Sequence, residues 1–104
     1  MSNETIGDKL RKLREENQMP LRKVAALLDV DVAILSKMER GERPLSKEVV
    51  VQLAKIYKHD EEELTVLYLS QKIMNEVGKE DLALKAMQVA EEKIKYLAKQ
   101  NKKK

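Results

Sequence analysis

The sequence contains no cysteine, tryptophan or phenylalanine, only three glycines and two prolines among its 104 residues, and a single histidine. Without cysteine there is no disulfide, thiolate nucleophile or Cys-ligated zinc, and one histidine offers no His-based metal set. No apolar run approaches the 18 or so residues that a membrane-spanning helix needs, and "MSNETIGDKLRKL" lacks the apolar stretch of a signal peptide. A soluble, cytoplasmic protein without a membrane partner is expected. The scarcity of turn formers and aromatics, with 38% charged residues, favours an all-α fold. No Gly-rich phosphate loop, metal-ligand spacing or nucleophile–base pair occurs, so neither an enzyme, a cofactor nor a metal is expected, and no small-molecule effector is inferable.

The formal net charge is +3, unevenly placed. Residues 1–78 carry 13 Lys and Arg against 14 Asp and Glu, whereas residues 79–104 carry 8 against 4. A nucleic-acid footprint on the first part must come from sorting of charge over its surface rather than from bulk charge.

Apolar periodicity and capping residues predict the helices. Thr5 with Asp8 three residues on resembles a capping box, and Ile6, Leu10 and Leu13 mark a helix from about Ile6 to Glu16. Pro20 suits the first turn of a second helix carrying Leu21, Val24, Ala25 and Leu28. Asp31 is placed to cap a third helix with Leu35 and Met38 inward, and Gly41 to end it in the left-handed conformation. Ser46 caps a fourth helix with Leu45 and Val50 as a hydrophobic staple, and its inner stripe is Val50, Leu53, Ala54 and Tyr57. Asp60 opens a fifth, running to about Val77, where Gly78 breaks it; "DEEEL" reads as a cap and first turn rather than a cation site.

The fifth helix carries more apolar residues than one stripe of about 100° can hold. A sixth, from about Glu80 to Gln100, places Ala83, Met87, Ala90, Ile94 and Leu97 at alternating steps of four and three, the seam of a short coiled coil. A homodimer through residues 64 to 98 covers this surface, with Leu67, Met74, Met87, Ala90, Ile94 and Leu97 at its interface; the alternative is a helical hairpin folded back on its own head. The expected organisation is a head over residues 1–66, a helical dimerisation extension over 67–100 and a basic, disordered tail over 101–104.

Residues 6–64, and above all "VAALLDVDVAILSKMERG" followed by Pro44, resemble the lambda-repressor/Cro-type helix-turn-helix family, also called the xenobiotic-response-element family. The resemblance implies a five-helix DNA-binding domain whose third helix enters the major groove of double-stranded DNA. It assigns Asp31, Val32, Ala33, Ser36 and Lys37 to the bases, and Arg22, Lys23, Arg40, Arg43 and Lys47, along one edge of the family fold, to phosphates. It also implies a structural ion pair between Arg14 and Glu39. The sequence departs from the family at Leu21, where a phosphate-binding Gln is common, at Asp29 and Lys58, where Gly is common, and at His59, read as a partly buried ring at a helix junction.

The implied function is a sequence-specific transcriptional regulator, a homodimer on a palindromic operator, with a further similarity to bacterial restriction-modification controllers. Val32 and Ala33 offer only apolar contact to thymine methyls, Ser36 a hydroxyl and Lys37 a donor for guanine, so direct readout is sparse. The alternative is an antitoxin-like interaction module presenting Val32, Ala33 and Ile34 to a protein.

Overall fold

In the computed structural model, which describes residues 4–102, six α-helices and no strand occur among the described residues. They are α1 (Ile6–Glu16), α2 (Leu21–Leu28), α3 (Val32–Glu39), α4 (Lys47–Ile56), α5 (Glu61–Val77) and α6 (Ala83–Lys102). No helix among these residues is long and apolar enough to cross a membrane.

Local hydrogen bonds set most helix starts. At α1 the box closes in both directions: the Asp8 amide donates to Thr5 Oγ1 at 3.0 Å and the Thr5 amide to Asp8 Oδ2 at 3.1 Å. The second of these bonds, donated by the Thr5 amide to the ionised carboxylate, is the main cause that holds the Asp8 carboxyl below its usual range. Asp31 Oδ1 accepts from the Ala33 amide at 2.8 Å, Ser46 Oγ from Val49 at 3.2 Å, and Asp60 Oδ1 from Glu62 at 2.9 Å. Pro20 differs from expectation. Its ψ of 155° is extended, so it stands at the N-cap of α2 and not in its first turn, and its carbonyl accepts from Lys23 and Val24.

Four helix ends share one device. Gln18, Asp29, Gly41 and Lys58 all have positive φ, between 54° and 77°. After each, the chain turns back on the last carbonyls, as when Gly41 N–H donates to Met38 O and Glu42 N–H to Lys37 O. Only one of the four is a glycine, so three of these turns hold a side chain in the left-handed region.

The chain divides into two compact units, one ending at Lys72 and the other beginning at Ile73. In the first, α1–α4 and the opening turns of α5 enclose one core, in which Leu10, Val24, Ala25, Leu35, Val50, Leu53 and Leu64 are all but inaccessible. Leu45, the expected staple residue, packs partly buried against this core, of which Val50 is a buried member. Tyr68 is buried in it as well, and the Gln71 side chain accepts from the Ile6 amide at 3.3 Å. Both residues lie beyond the expected head boundary at residue 66, because the buried face of α5 continues two turns past Leu64.

The second unit contains the end of α5 and all of α6. The sixth helix begins at Ala83 and not at Glu80: residues 78–82 pass through two turns, one closed by the Glu80 amide donating to Val77 O and the next by the Ala83 amide donating to Glu80 O. Asn101 and Lys102, expected in the tail, are the last residues of α6, while Lys103 and Lys104 lie outside the described residues. Apolar side chains here are largely accessible, among them Met74 at 59%, Ile94 at 64% and Leu97 at 60%.

Candidate nucleic-acid interface

The third helix has two chemically different sides. Leu35, Met38 and Glu39 are buried, while Asp31, Val32, Ala33 and Lys37 are exposed and Ile34 and Ser36 are half-buried. A helix of eight residues owes little to propensity. It is held by packing on α1 and α2, by the Asp31 cap at one end and by the Gly41 turn at the other.

The α2–α3 turn is three residues long, 29–31. Asp29 supplies the positive φ of 59°, and Val30 tucks against the core between Ala25 and Leu35 in sequence order. Ala25 is 1% exposed, a small side chain at the place where α2 meets α3. These features aim α3 so that its polar and methyl-bearing side faces solvent.

Glu39 is the one buried charged residue among those described, and Arg14 neutralises it. Arg14 Nε donates to Glu39 Oε2 at 2.8 Å and Nη2 to Oε1 at 3.1 Å, a bidentate pair, and Nη1 donates to the Met19 carbonyl at 3.1 Å. The hydrogen bond to Glu39 raises the Arg14 pKa further, so the guanidinium stays charged. It joins α1, the loop before α2 and the end of α3. The Tyr57 ring lies buried beside this pair: burial first, then the Glu39 charge, push its phenol pKa well up, with Arg14 partly opposing. Its hydroxyl is buried without a hydrogen-bond partner.

A close approach of two backbones completes the seat of α3. A Cβ on Gly7, in the first turn of α1, would lie 2.3 Å from the Glu39 carbonyl oxygen and 3.0 Å from that of Met38. Sequence patterning overlooked Gly7; an isolated glycine within an amphipathic helix was the available signal. Leu27, 58% exposed in the last turn of α2, is a second residue that the pattern did not single out.

The basic residues flanking α3 are all exposed: Arg22 and Lys23 in the first turn of α2, Arg40 and Arg43 after α3, and Lys47 at the start of α4. Arg40 is already engaged, its Nε 3.1 Å from Glu42 Oε2, both side chains in solvent. Acidic residues concentrate at the start of α5, where Glu63 Oε1 meets His59 Nε2 at 3.0 Å and Lys9 Nζ at 4.0 Å. His59 is thus a half-buried ring at the α4–α5 junction, hydrogen-bonded to Glu63. No group of three His, Cys, Asp or Glu that could hold a metal occurs among the described residues.

Neither the curated proteins nor the solved structures include a match to the chain. A family model described as a helix-turn-helix domain matches residues 5–67, which take in α1–α4 and the first turns of α5, with the α2–turn–α3 unit at their centre. The chain belongs to this helix-turn-helix family, which points to DNA as its ligand.

Proposed function

We propose that the protein is a sequence-specific regulator of transcription that binds double-stranded DNA as a homodimer on a two-fold operator. The observation that carries this reading is the two-sidedness of α3: Leu35, Met38 and the Arg14-bound Glu39 fix it from within, and Val32, Ala33 and Lys37 stand in solvent. In a helix-turn-helix, such a face enters the major groove.

Within this reading Lys37 donates to guanine acceptors, Ser36 to a base or phosphate, and Val32 and Ala33 pack on thymine methyls. Asp31 stands at the start of the base-facing series, with one carboxylate oxygen already committed to the Ala33 amide. Arg22, Lys23, Arg43 and Lys47 hold phosphates, and Arg40 joins them by exchanging Glu42 for the stronger field of the duplex. Few base contacts leave much of the specificity to DNA shape and to the spacing of two half-sites. The accessible apolar residues of the second unit, with Leu67 at the end of the head, supply the contact between two copies. The overall pattern is similar to that of the small controllers of restriction-modification systems, which work in the cytoplasm, and we adopt that as the more specific form of the proposal.

Selection of bound duplexes from a random pool, with the native chain, Lys37→Ala and Arg43→Ala, tests it. The native chain enriches a two-fold motif. Lys37→Ala relaxes preference at particular base pairs, by about 1 to 3 kcal/mol per half-site, whereas Arg43→Ala weakens all sequences alike. Binding through about five phosphate contacts per subunit also weakens steeply between about 50 and 200 mM salt. Failure of the native chain to enrich any motif overturns the proposal.

A further inference from the structure

The apolar side of α6 has a pattern more specific than hydrophobicity. Ala83, Met87, Ala90, Ile94, Leu97 and Asn101 follow one another at alternating steps of four and three along a single helix. In heptad terms Met87, Ile94 and Asn101 occupy position a, and Ala83, Ala90 and Leu97 position d. Met87, Ile94 and Leu97 are 39%, 64% and 60% exposed, and Asn101 is exposed too.

We infer that α6 pairs with α6 of a second copy as a parallel, in-register two-stranded coiled coil, with Asn101 facing its own counterpart. This inference rests on the homodimer proposed above and gives it an orientation and a register.

Three features select this occupant and this direction. In a parallel assembly, a β-branched residue at a beside leucine at d, as in Ile94 and Leu97, favours two strands over three or four. A single polar residue at a is tolerated where it meets its own copy: two Asn101 amides, each both donor and acceptor, satisfy one another and penalise any other register. In the antiparallel arrangement with full overlap, Asn101 would instead face Ala83, which offers its side-chain amide nothing.

Charge gives the third. Lys93 lies at position g and Glu91 at e. Full antiparallel overlap sets g against g and e against e, bringing Lys93 against Lys93 and Glu91 against Glu91 at the middle of the seam. Lys95, 3.5 Å from Glu91, softens only the second of these repulsions. In the parallel pair g faces e of the next heptad, so Lys93 meets Ala98 and Glu91 meets Ala86, and no like charges oppose each other. Sliding the antiparallel pair by one heptad removes the repulsion but leaves a third or so of a 20-residue helix unpaired.

The absence of cysteine makes the test clean. In a glutathione redox buffer, full-length Leu97→Cys forms a disulfide-linked dimer about ten-fold faster than Lys99→Cys, whose side chain lies at the outer position f, because identical d positions of a parallel pair come within disulfide reach. A mixture of Met87→Cys and Leu97→Cys chains, resolved by mass, yields the two self-linked dimers and no excess of the mixed one. A mixed dimer in excess means an antiparallel pair and overturns the inference. So does a monomeric mass for the native chain in sedimentation equilibrium at micromolar concentration, a measurement independent of any substitution. Enrichment of a single half-site motif by a monomeric chain would sink this inference and leave the DNA-binding reading standing.

Discussion

Gly7 and Glu39 meet backbone to backbone: there is no room between the first turn of α1 and the last carbonyl of α3 for even one methyl group. Because the obstructing atom is a carbonyl oxygen and not the end of a flexible side chain, relief requires one helix to move. Gly7→Ala therefore destabilises the head by about 3 kcal/mol, even though alanine gains about 1 kcal/mol of helix propensity at an interior position. Urea unfolding measures the loss. Under the proposed function the shifted α3 also weakens duplex binding at temperatures where the variant remains folded.

The three side chains held at positive φ give the opposite result. Asp29→Gly and Lys58→Gly each remove left-handed strain from a helix end and stabilise by about 0.5 to 1 kcal/mol, after the greater chain entropy of glycine is subtracted. The two sites lie in different turns, so their effects add in the double variant. Gly41→Ala meets no neighbouring atom within 4 Å, and its cost of about 1 kcal/mol is conformational alone. Chemical denaturation of the three variants checks the signs.

Removing one partner from the Arg14–Glu39 pair leaves a charge in a site where the side chains are only 13% and 7% exposed. Glu39→Gln and Arg14→Met each cost about 3 kcal/mol, and the double replacement costs less than their sum. Arg14→Lys does not rescue, because an ammonium cannot reproduce the bidentate contact and still reach the Met19 carbonyl. A double-mutant cycle in thermal unfolding reads the coupling.

Tyr57 gives the stability an alkaline limb. Its phenol ionises near pH 10 in the unfolded chain and only at higher pH when buried beside Glu39. Above pH 10 the unfolded state therefore binds fewer protons than the folded one, and stability falls as pH rises. Tyr57→Phe abolishes this share of the loss. At neutral pH the same variant is as stable as the native chain or about 1 kcal/mol more so, since it deletes a buried hydroxyl that has no partner. Unfolding free energies at pH 7 and above pH 10 separate the two effects.

The features readable in the sequence are those whose partners lie within about four residues. The Thr5–Asp8 box, the Asp31 and Ser46 caps and the Gly41 turn are local hydrogen bonds, and each formed where residue spacing placed it. The Arg14–Glu39 pair spans 25 residues and came from the family resemblance, not from pattern. Gly7 against Glu39 and Gln71 on the Ile6 amide are also long-range, and nothing in periodicity signals them. The late start of α6 has a different cause. Glu80 and Asp81 suit a helical first turn, but Gly78 directs the chain into a further turn stabilised by the Glu80 amide, and the helix waits until Ala83. At the interface, the burial of Leu35 and Met38 follows from spacing, whereas the engagement of Arg40 by Glu42 depends on the tight bend after α3, which folds Glu42 back toward the arginine two residues earlier.

The helices of the first unit are joined by links of three to seven residues, and its main packing pairs, α2 with α3, α1 with α3 and α2 with α4, are near neighbours along the chain. Such low contact order lets a helical domain fold within microseconds to milliseconds. Two macromolecules at micromolar concentration, associating at about 10⁶ M⁻¹s⁻¹, need about a second to meet. Under the proposed function, the pace of a response is set by diffusion to the operator, and a head that opens by chance is whole again long before the next encounter.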